Sequence, residues 1–138
     1  LQDARPLIEQ RHDSKEQIQW RQLSGRVYLQ QGNLKAAHLE FLQALEDTRQ
    51  SQVDMFVEVL LDFATLYNSQ EDTENAARLL GYVQAQNQLP APSVHFLVEP
   101  LHQALATKLD EVSLAALLHD GAQLNQQAII TQLLATIE

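Results

Sequence analysis

The sequence contains no cysteine among its 138 residues, and only four glycines and four prolines. Without cysteine the chain can form no disulfide, no thiolate metal site and no cysteine nucleophile, which fits a reducing compartment such as the cytoplasm. So few glycines and prolines do not supply the turns of a β-sandwich or barrel. Leu, Ala, Gln and Glu dominate instead, and all four favour helices. The composition therefore predicts an all-α cytoplasmic protein.

Basic residues are also scarce, with 9 against 18 acidic residues and a net charge of −9. A nucleic-acid backbone would be repelled by most of such a surface, and the bases form no stripe, so we expect no direct contact with nucleic acid. No run approaches the roughly 20 apolar residues that span a bilayer, and the first residues lack the basic-then-apolar pattern of a signal peptide, so no membrane contact is expected either. The chain begins at Leu1, without Met, inside a helix-like stretch. This start predicts a domain excised from a larger protein.

A pattern of small, aromatic, small and large residues occurs twice, 39 residues apart. The two copies are Gly25, Tyr28, Ala37, Phe41 and Ala64, Tyr67, Ala76, Leu80. A fixed period between 20 and 50 residues is typical of helical solenoids, in which each hairpin buries its apolar face against a neighbour. The pattern predicts one domain over 1–138, with repeats at about 15–50 and 52–87.

Local signals predict the helix boundaries of the two repeats. One helix should end near residue 11 and break at 12–14, since Ser14 and Gln17 form a capping box for a helix over 15–31. The apolar residues expected on the buried side of this helix are Ile18, Trp20, Leu23, Val27 and Leu29. Gly32-Asn33 predicts the turn to a helix over 34–50. Ser51 and Asp54 predict a second capping box before an apolar helix over 53–67, which should be buried on several sides. A turn at 68–72 and a helix over 73–86 follow.

After Pro90 the repeat pattern stops, and a different helical end-piece occupies about 91–138. Prolines at 90 and 92 predict a break, and Ser93 a cap, before a helix that Pro100 should kink or begin. A short helix over 112–119, a turn at Asp120-Gly121 and a last helix capped by Asn125 complete the chain. The count is seven or eight helices in antiparallel hairpins, with no strand.

These features resemble the tetratricopeptide helix–turn–helix pattern, although the usual period is about 34 and the glycine of the second turn is replaced by Glu71. Residues 76–81, Ala-Ala-Arg-Leu-Leu-Gly, and the stretch 114–134 together resemble the C-terminal end of the tetratricopeptide-like region of LuxR-type, MalT-like bacterial transcriptional regulators. Ser24-Gly25-Arg26-Val27 is similar to that group's first-arm motif. The resemblance implies a right-handed superhelix that acts as a sensing or assembly arm, with the nucleotide-binding and DNA-binding domains elsewhere.

Catalytic and metal-binding patterns are weak. His95, Glu99 and His102 share one helical face if the helix is unbroken, and His119 could add a ligand, but ordinary surface histidines are the favoured interpretation. The carboxylate pairs at 46–47, 71–72 and 110–111 sit at helix ends, where turns need polar groups. No phosphate loop, nucleophile elbow or zinc-protease motif is present. The sequence predicts neither an enzyme nor a cofactor.

A binding groove is the better candidate. The outward sides of the first arms would offer polar groups to a peptide, a partner domain or a small polar effector, and Arg26 could anchor a carboxylate. The predicted groove residues are Gln19, Gln22, Arg26, Gln30, Glu58, Thr65, Asn68 and Ser69. An exposed apolar edge is also expected on the N-terminal hairpin, and it could support a homodimer. The alternative function is a structural or oligomerising scaffold without a ligand.

Overall fold

A computed structural model of the chain describes residues 7–51, 55–85 and 92–135. Seven helices and no strand occupy these residues, so the predicted all-α class is confirmed for the part that is described. The helices are α1 (Leu7–Gln30), α2 (Leu34–Ser51), α3 (Phe56–Ser69), α4 (Thr73–Ala85), α5 (Pro92–Lys108), α6 (Glu111–Ala122) and α7 (Gln126–Ala135). None of these seven helices combines the length and apolar character needed to cross a membrane.

The chain packs as two compact units, residues 1–59 and 60–138. The division falls in the first turn of α3, inside the stretch that the sequence predicts as the second repeat. Helix α3 is buried along most of its length, as its composition predicts. Its fully or almost fully buried residues are Val59, Leu60, Leu61, Phe63, Ala64 and Leu66.

The first unit contains one long helix where the sequence predicts two. Helix α1 runs without interruption through 12–14, so the predicted break and the capping box at Ser14 are wrong. The physical reason is that Asp or Ser inside a helix, as at positions 13 and 14, lowers helix stability by only a few tenths of a kcal/mol relative to alanine. Gly or Pro would lower it by about 1 kcal/mol or more. Ser51 likewise ends α2 instead of capping the next helix, and α3 begins at Phe56. The predicted start over 1–6 and the position of Asp54 lie outside the described residues.

The two interhelical turns have the same backbone geometry 39 residues apart. Gly32 has φ 78° and Glu71 has φ 65°, both in the left-handed region. In the first turn the N–H of Asn33 donates to the carbonyl of Tyr28 at 2.9 Å, and in the second the N–H of Asp72 donates to the carbonyl of Tyr67 at 2.9 Å.

The caps of the following helices also match. Asn33 Oδ1 accepts from the N–H of Ala36, and Asp72 Oδ1 accepts from the N–H of Asn75. The sequence repeat is therefore a repeat of turn geometry, although α3 continues through Asn68 and Ser69, where the sequence predicts the turn.

Helices α1 and α2 pack against each other through small and large residues in alternation. Ile18 and Gly25 of α1 are buried, as are Ala37, Phe41 and Leu45 of α2. A Cβ atom placed on Gly25 would lie 2.8 Å from Cδ1 of the Phe41 ring. Glycine at this position thus leaves the space that the Phe41 ring fills, and it allows α1 and α2 to approach closely.

In the second unit, α4 packs most extensively against α6. A Cβ on Gly81 would strike the backbone of Leu118, and a Cβ on Gly121 would strike the backbone of Arg78. Gly121 is therefore a helical residue at a close crossing, and the predicted turn at 120–121 is wrong. Asn125 does cap α7 as predicted, since its Oδ1 accepts from the N–H of Ala128 at 2.7 Å.

Helix α5 begins at Pro92 and continues through Pro100. Proline is well suited to the first position of a helix because its missing N–H would have no intrahelical partner there. Pro100 thus does not mark the start of the helix, and Ser93 lies inside it instead of capping it. The predicted break at Pro90 lies outside the described residues.

Candidate functional site

Helix α1 carries apolar side chains on two opposite faces. Its inner face, against α2, contains the buried residues Ile18, Gln22 and Gly25. Trp20, Leu23 and Val27 lie about 180° around the helix from this inner face, at the 3.6 residues per turn of an α-helix. We call these three residues the outer stripe.

The outer stripe is exposed to solvent. Trp20 is 64%, Leu23 55% and Val27 44% exposed. The sequence places all three on the buried side of the helix, and that prediction is wrong. Apolar periodicity alone does not tell which of two apolar faces a neighbouring helix covers, and here α2 covers the one with Ile18 and Gly25. The exposed apolar edge predicted for the N-terminal hairpin is present as this stripe.

A shallow groove of about 280 Å³ runs beside the stripe on the surface of α1. Its wall combines the three stripe residues with Ser24, Tyr28 and Gln31. Apolar surface with a few hydroxyl and amide groups at its edge is typical of binding sites for amphipathic partners.

On the other side of the stripe lie three of the predicted groove residues, Gln19, Arg26 and Gln30. Gln19 and Gln30 are exposed and Arg26 is partly buried. Gln22 does not join them, because it is 4% exposed and belongs to the inner face. The prediction that Gln22 points outward is therefore wrong: at helical spacing it falls in line with Ile18 and Gly25, towards α2.

The remaining predicted groove residues lie on α3. Glu58 falls in the first unit, and Thr65, Asn68 and Ser69 fall in the second. The hydroxyl of Thr65 donates to the carbonyl of Leu61 at 2.9 Å, and Ser69 is exposed at the last position of α3.

The backbone carbonyl and Oδ1 of Asn68 both accept from Lys108 Nζ, at 3.1 and 3.0 Å. Thr65 and Asn68 therefore both make hydrogen bonds within the chain. Only Gln19, Arg26 and Gln30 are brought together by the structure beside an exposed apolar surface.

An ion-pair cluster fixes the orientation of α1 on α2. Arg21 Nη1 donates to Glu40 Oε1 at 3.2 Å, and its Nε lies 3.8 Å from Asp47 Oδ2. Asp47 also accepts from Gln17 and Gln43. These contacts lie on the flank of α1 away from Gln19 and Arg26, and they hold the helix so that the outer stripe faces away from α2.

Among the side chains that the structure describes, the residues weighed for metal binding and acid–base chemistry do not converge; the side chain of His95 lies outside that set. Within the described ranges no group of three His, Cys, Asp or Glu side chains could hold a metal ion. Glu46 pairs with Arg49 of its own helix, and Asp110 caps α6 by accepting from the N–H of Ser113 at 2.7 Å. This hydrogen bond lowers the pKa of the Asp110 carboxyl. These carboxylates have clear structural roles.

Comparison of the chain with protein-family models, curated proteins and solved structures finds no match. The candidate site therefore rests on the geometry of α1 alone.

Proposed function

We propose that this chain is a non-catalytic, tetratricopeptide-like interaction domain, and that it binds its partner through the outer stripe of α1. The observation that carries the proposal is the exposure of Trp20, Leu23 and Val27 on the face opposite the packed one. Soluble proteins seldom expose aligned large apolar side chains without a use, and contiguous patches of a few hundred Å² usually mark interaction sites.

The geometry of α1 suits this role. The helix is locked to α2 by the Gly25–Phe41 contact and by the Arg21 ion pairs, so its outer face is presented on a fixed support. A surface that is rigid before binding loses less conformational entropy when a partner docks.

We further propose that the parent protein is a bacterial transcriptional regulator of the LuxR-type, MalT-like kind. The support is that the two stretches resembling this group, 76–81 and 114–134, contain the two glycines, Gly81 and Gly121, at which α4 and α6 cross. The repeated turn geometry at Gly32 and Glu71 supports the tetratricopeptide-like interpretation. In this arrangement the domain would sense or assemble, and other domains would bind nucleotide and DNA.

The test uses two leucines of α1 and α2 that are equally exposed, Leu23 at 55% and Leu39 at 56%. Each leucine is replaced in turn by a photo-crosslinking amino acid, and the intact parent protein is expressed in its native host. We expect a discrete protein adduct from position 23, identified by mass spectrometry and rebuilt from purified proteins, with no such adduct from position 39. Leu23→Lys should abolish the reconstituted complex and Leu39→Lys should leave it intact. Equal behaviour of the two positions would contradict the proposal.

The alternative scaffold function uses the same surface differently. If the stripe mainly joins copies of this chain, the purified protein sediments as a dimer, and Leu23→Lys converts it to a monomer. Sedimentation velocity on both proteins distinguishes the two functions.

A further inference from the structure

The repeat spacing of 39 residues gives every residue of the outer stripe a counterpart in α3. The counterparts of Trp20, Leu23 and Val27 are Val59, Asp62 and Leu66. All three counterparts are buried, with 0%, 4% and 1% of their surface exposed, whereas the stripe residues themselves are exposed. The face that α1 leaves open to solvent is therefore covered in the second repeat copy.

The two helices can be compared residue by residue because they lead into equivalent turns. The carbonyl of Tyr28 accepts from the N–H of Asn33, and the carbonyl of Tyr67 accepts from the N–H of Asp72, both at 2.9 Å. Residues at the same distance before these turns take the same rotational position around their helices. The contrast in burial is thus a contrast between equivalent faces.

The covered face of α3 is wider than the outer stripe. Phe63 and Tyr67, the counterparts of Ser24 and Tyr28, are 1% and 5% exposed. At helical spacing, the arc of α1 that includes the stripe, Ser24 and Tyr28 spans about 140° of its surface. A single helix packed alongside another covers a narrower seam, as in a coiled coil. Covering the whole arc therefore takes two helices.

The polar flank of α1 shows the opposite relationship. Arg26 and Gln30 correspond to Thr65 and Ser69, which are partly buried and exposed, respectively. In the second repeat copy the apolar arc is thus covered, while this flank stays at the surface. An occupant of α1 that follows the same arrangement leaves Gln30 accessible.

Glu16 limits the contact at one end of the stripe. It is exposed, lies in line with Trp20 and Leu23, and corresponds to Met55, which is 3% exposed. Burying a carboxylate is far more costly than burying a thioether side chain. We therefore expect the covered length of α1 to start at Trp20 and to leave Glu16 in contact with water.

The available area argues against a second molecule of this chain as the occupant. The three stripe residues expose about 300 Å² of largely apolar surface, at the usual areas of such side chains. Each partner in a stable complex of folded domains buries about 800 Å². Two α1 helices packed along their stripes would meet along a single seam, whereas a pair of helices also reaches Ser24 and Tyr28 on the wider arc.

We propose that the outer stripe is covered by a helical hairpin of the partner protein, which stacks on α1 as a further repeat. One helix of the hairpin lies over Leu23 and Val27, the other lies over Ser24 and Tyr28, and Trp20 lies between them. Helical repeats bury their apolar faces by stacking on neighbours, and here the same kind of contact joins two proteins. This inference rests on the proposed interaction function and adds the class of partner.

Photo-crosslinking from the two edges of the arc tests for two helices. A benzophenone amino acid replaces Leu23 in one variant of the intact parent protein and Tyr28 in another, in the native host. Both variants should give an adduct with the same partner, and mass spectrometry should place the two crosslinks in successive helices of that partner. Positions 23 and 28 are only about 8 Å apart along the axis of α1, so a single helix would give crosslinks within about two turns of each other.

Cysteine accessibility tests which side of α1 the partner covers, because the chain has no native cysteine. Ser24→Cys, Val27→Cys and Gln30→Cys variants of the parent protein react with a maleimide, with and without the purified partner, and mass spectrometry gives the rate for each peptide. The partner should slow the reaction at positions 24 and 27 at least tenfold and leave position 30 unchanged. Leu39→Cys on α2 is the surface control, and circular dichroism confirms that each variant is folded.

The outcomes separate this inference from the proposed function. Crosslinks from positions 23 and 28 to one helix, or protection of position 30 equal to that of position 27, would overturn the hairpin and leave the interaction function standing. An adduct between two molecules of this chain would overturn the hairpin partner in favour of the scaffold function. Crosslinks confined to the parent chain, or no adduct from either position, would overturn both.

Discussion

Gly81 and Gly121 form a reciprocal contact: each lies against the backbone of the other's helix, three residues before the other glycine. A Cβ on Gly81 would lie 2.7 Å from the Cα of Leu118, and a Cβ on Gly121 would lie 2.7 Å from the carbonyl carbon of Arg78. Backbone atoms cannot move aside as the end of a flexible side chain can. The two glycines therefore set the distance at which α4 and α6 cross.

Alanine at either glycine should destabilise the second unit. We expect Gly81→Ala and Gly121→Ala each to lower the free energy of unfolding by about 3 kcal/mol, the upper range for overpacking, because whole helices must separate. Urea denaturation followed by circular dichroism measures the change. Gly32→Ala is the control, because nothing lies within 4 Å of the position that its Cβ would take. We expect this variant to lose only about 1 kcal/mol of unfolding free energy, because alanine is strained at the positive φ of this residue. Equal losses in the three variants would contradict the crossing.

This contact also shows where sequence reasoning stops. Gly121 looks like a turn residue because glycine costs a helix interior about 1 kcal/mol relative to alanine. Only the approach of α4, which is distant in sequence, explains why the helix continues through it. The caps at Asn33 and Asn125, by contrast, were predictable because each uses an N–H only three residues ahead.

The second turn holds a glutamate where the first holds a glycine. Glu71 has φ 65°, and this left-handed conformation costs a residue with a Cβ about 1 kcal/mol of stability. The ion pair of Glu71 with Lys108 at 3.4 Å offsets little of that cost, because the Glu71 side chain is highly exposed. We expect Glu71→Gly to raise the free energy of unfolding by about 0.5 kcal/mol, measured by urea denaturation. Lys108→Met should lower it, because Asn68 then loses its charged partner. A destabilising Glu71→Gly would mean that the ion pair outweighs the backbone strain.

The two faces of α1 should respond differently to truncation. Ile18 is fully buried, so Ile18→Ala should cost about 3 kcal/mol of unfolding free energy. Leu23 lies on the outer stripe, and Leu23→Ala should change it by less than about 0.5 kcal/mol. Thermal denaturation of the two variants checks this, and emission from Trp20 near that of free tryptophan in water checks its exposure. A large loss from Leu23→Ala would mean that the stripe packs inside the folded chain.

Recognition of this site from sequence was incomplete for a physical reason. Gln19, Arg26 and Gln30 were predictable as a polar flank from their spacing. Exposure of Trp20, Leu23 and Val27 was not, because their period is as helical as that of the buried face. The sequence does show that α1 has two apolar faces, because residues 18, 25 and 29 fall opposite residues 20, 23 and 27 on a helix. It does not show which of the two faces α2 covers.

Two caps with the same geometry should differ in their response to pH. The carboxylate of Asp110 and the amide of Asn125 each accept from an N–H at 2.7 Å, but only the carboxylate titrates. Because that hydrogen bond lowers the pKa of Asp110 below its ordinary 3.8, the stabilisation is complete above the ordinary value and is lost as the pH falls through the lowered one. The difference in Tm between the unmodified protein and Asp110→Ala should therefore narrow below about pH 4. The difference for Asn125→Ala should stay constant, and a parallel narrowing would contradict the assignment.

The 39-residue repeat makes a last prediction about Gly25 and Phe41. The equivalent residues of the second copy are Ala64 and Leu80, which are both fully buried. Alanine there is larger than glycine, and leucine is smaller than phenylalanine, so the two changes in volume oppose each other. Gly25→Ala alone forces the Phe41 ring to move, since the added Cβ would lie 2.8 Å from Cδ1, and it should cost about 2 kcal/mol. Phe41→Leu alone leaves a void and should cost about 1 kcal/mol.

The double variant reproduces the combination of the second copy and should cost about 1 kcal/mol less than the sum of the two single changes. A double-mutant cycle by urea denaturation measures this coupling. Additive losses would mean that Gly25 and Phe41 do not share one space, and that the repeat extends to the turns but not to the packing between the arms.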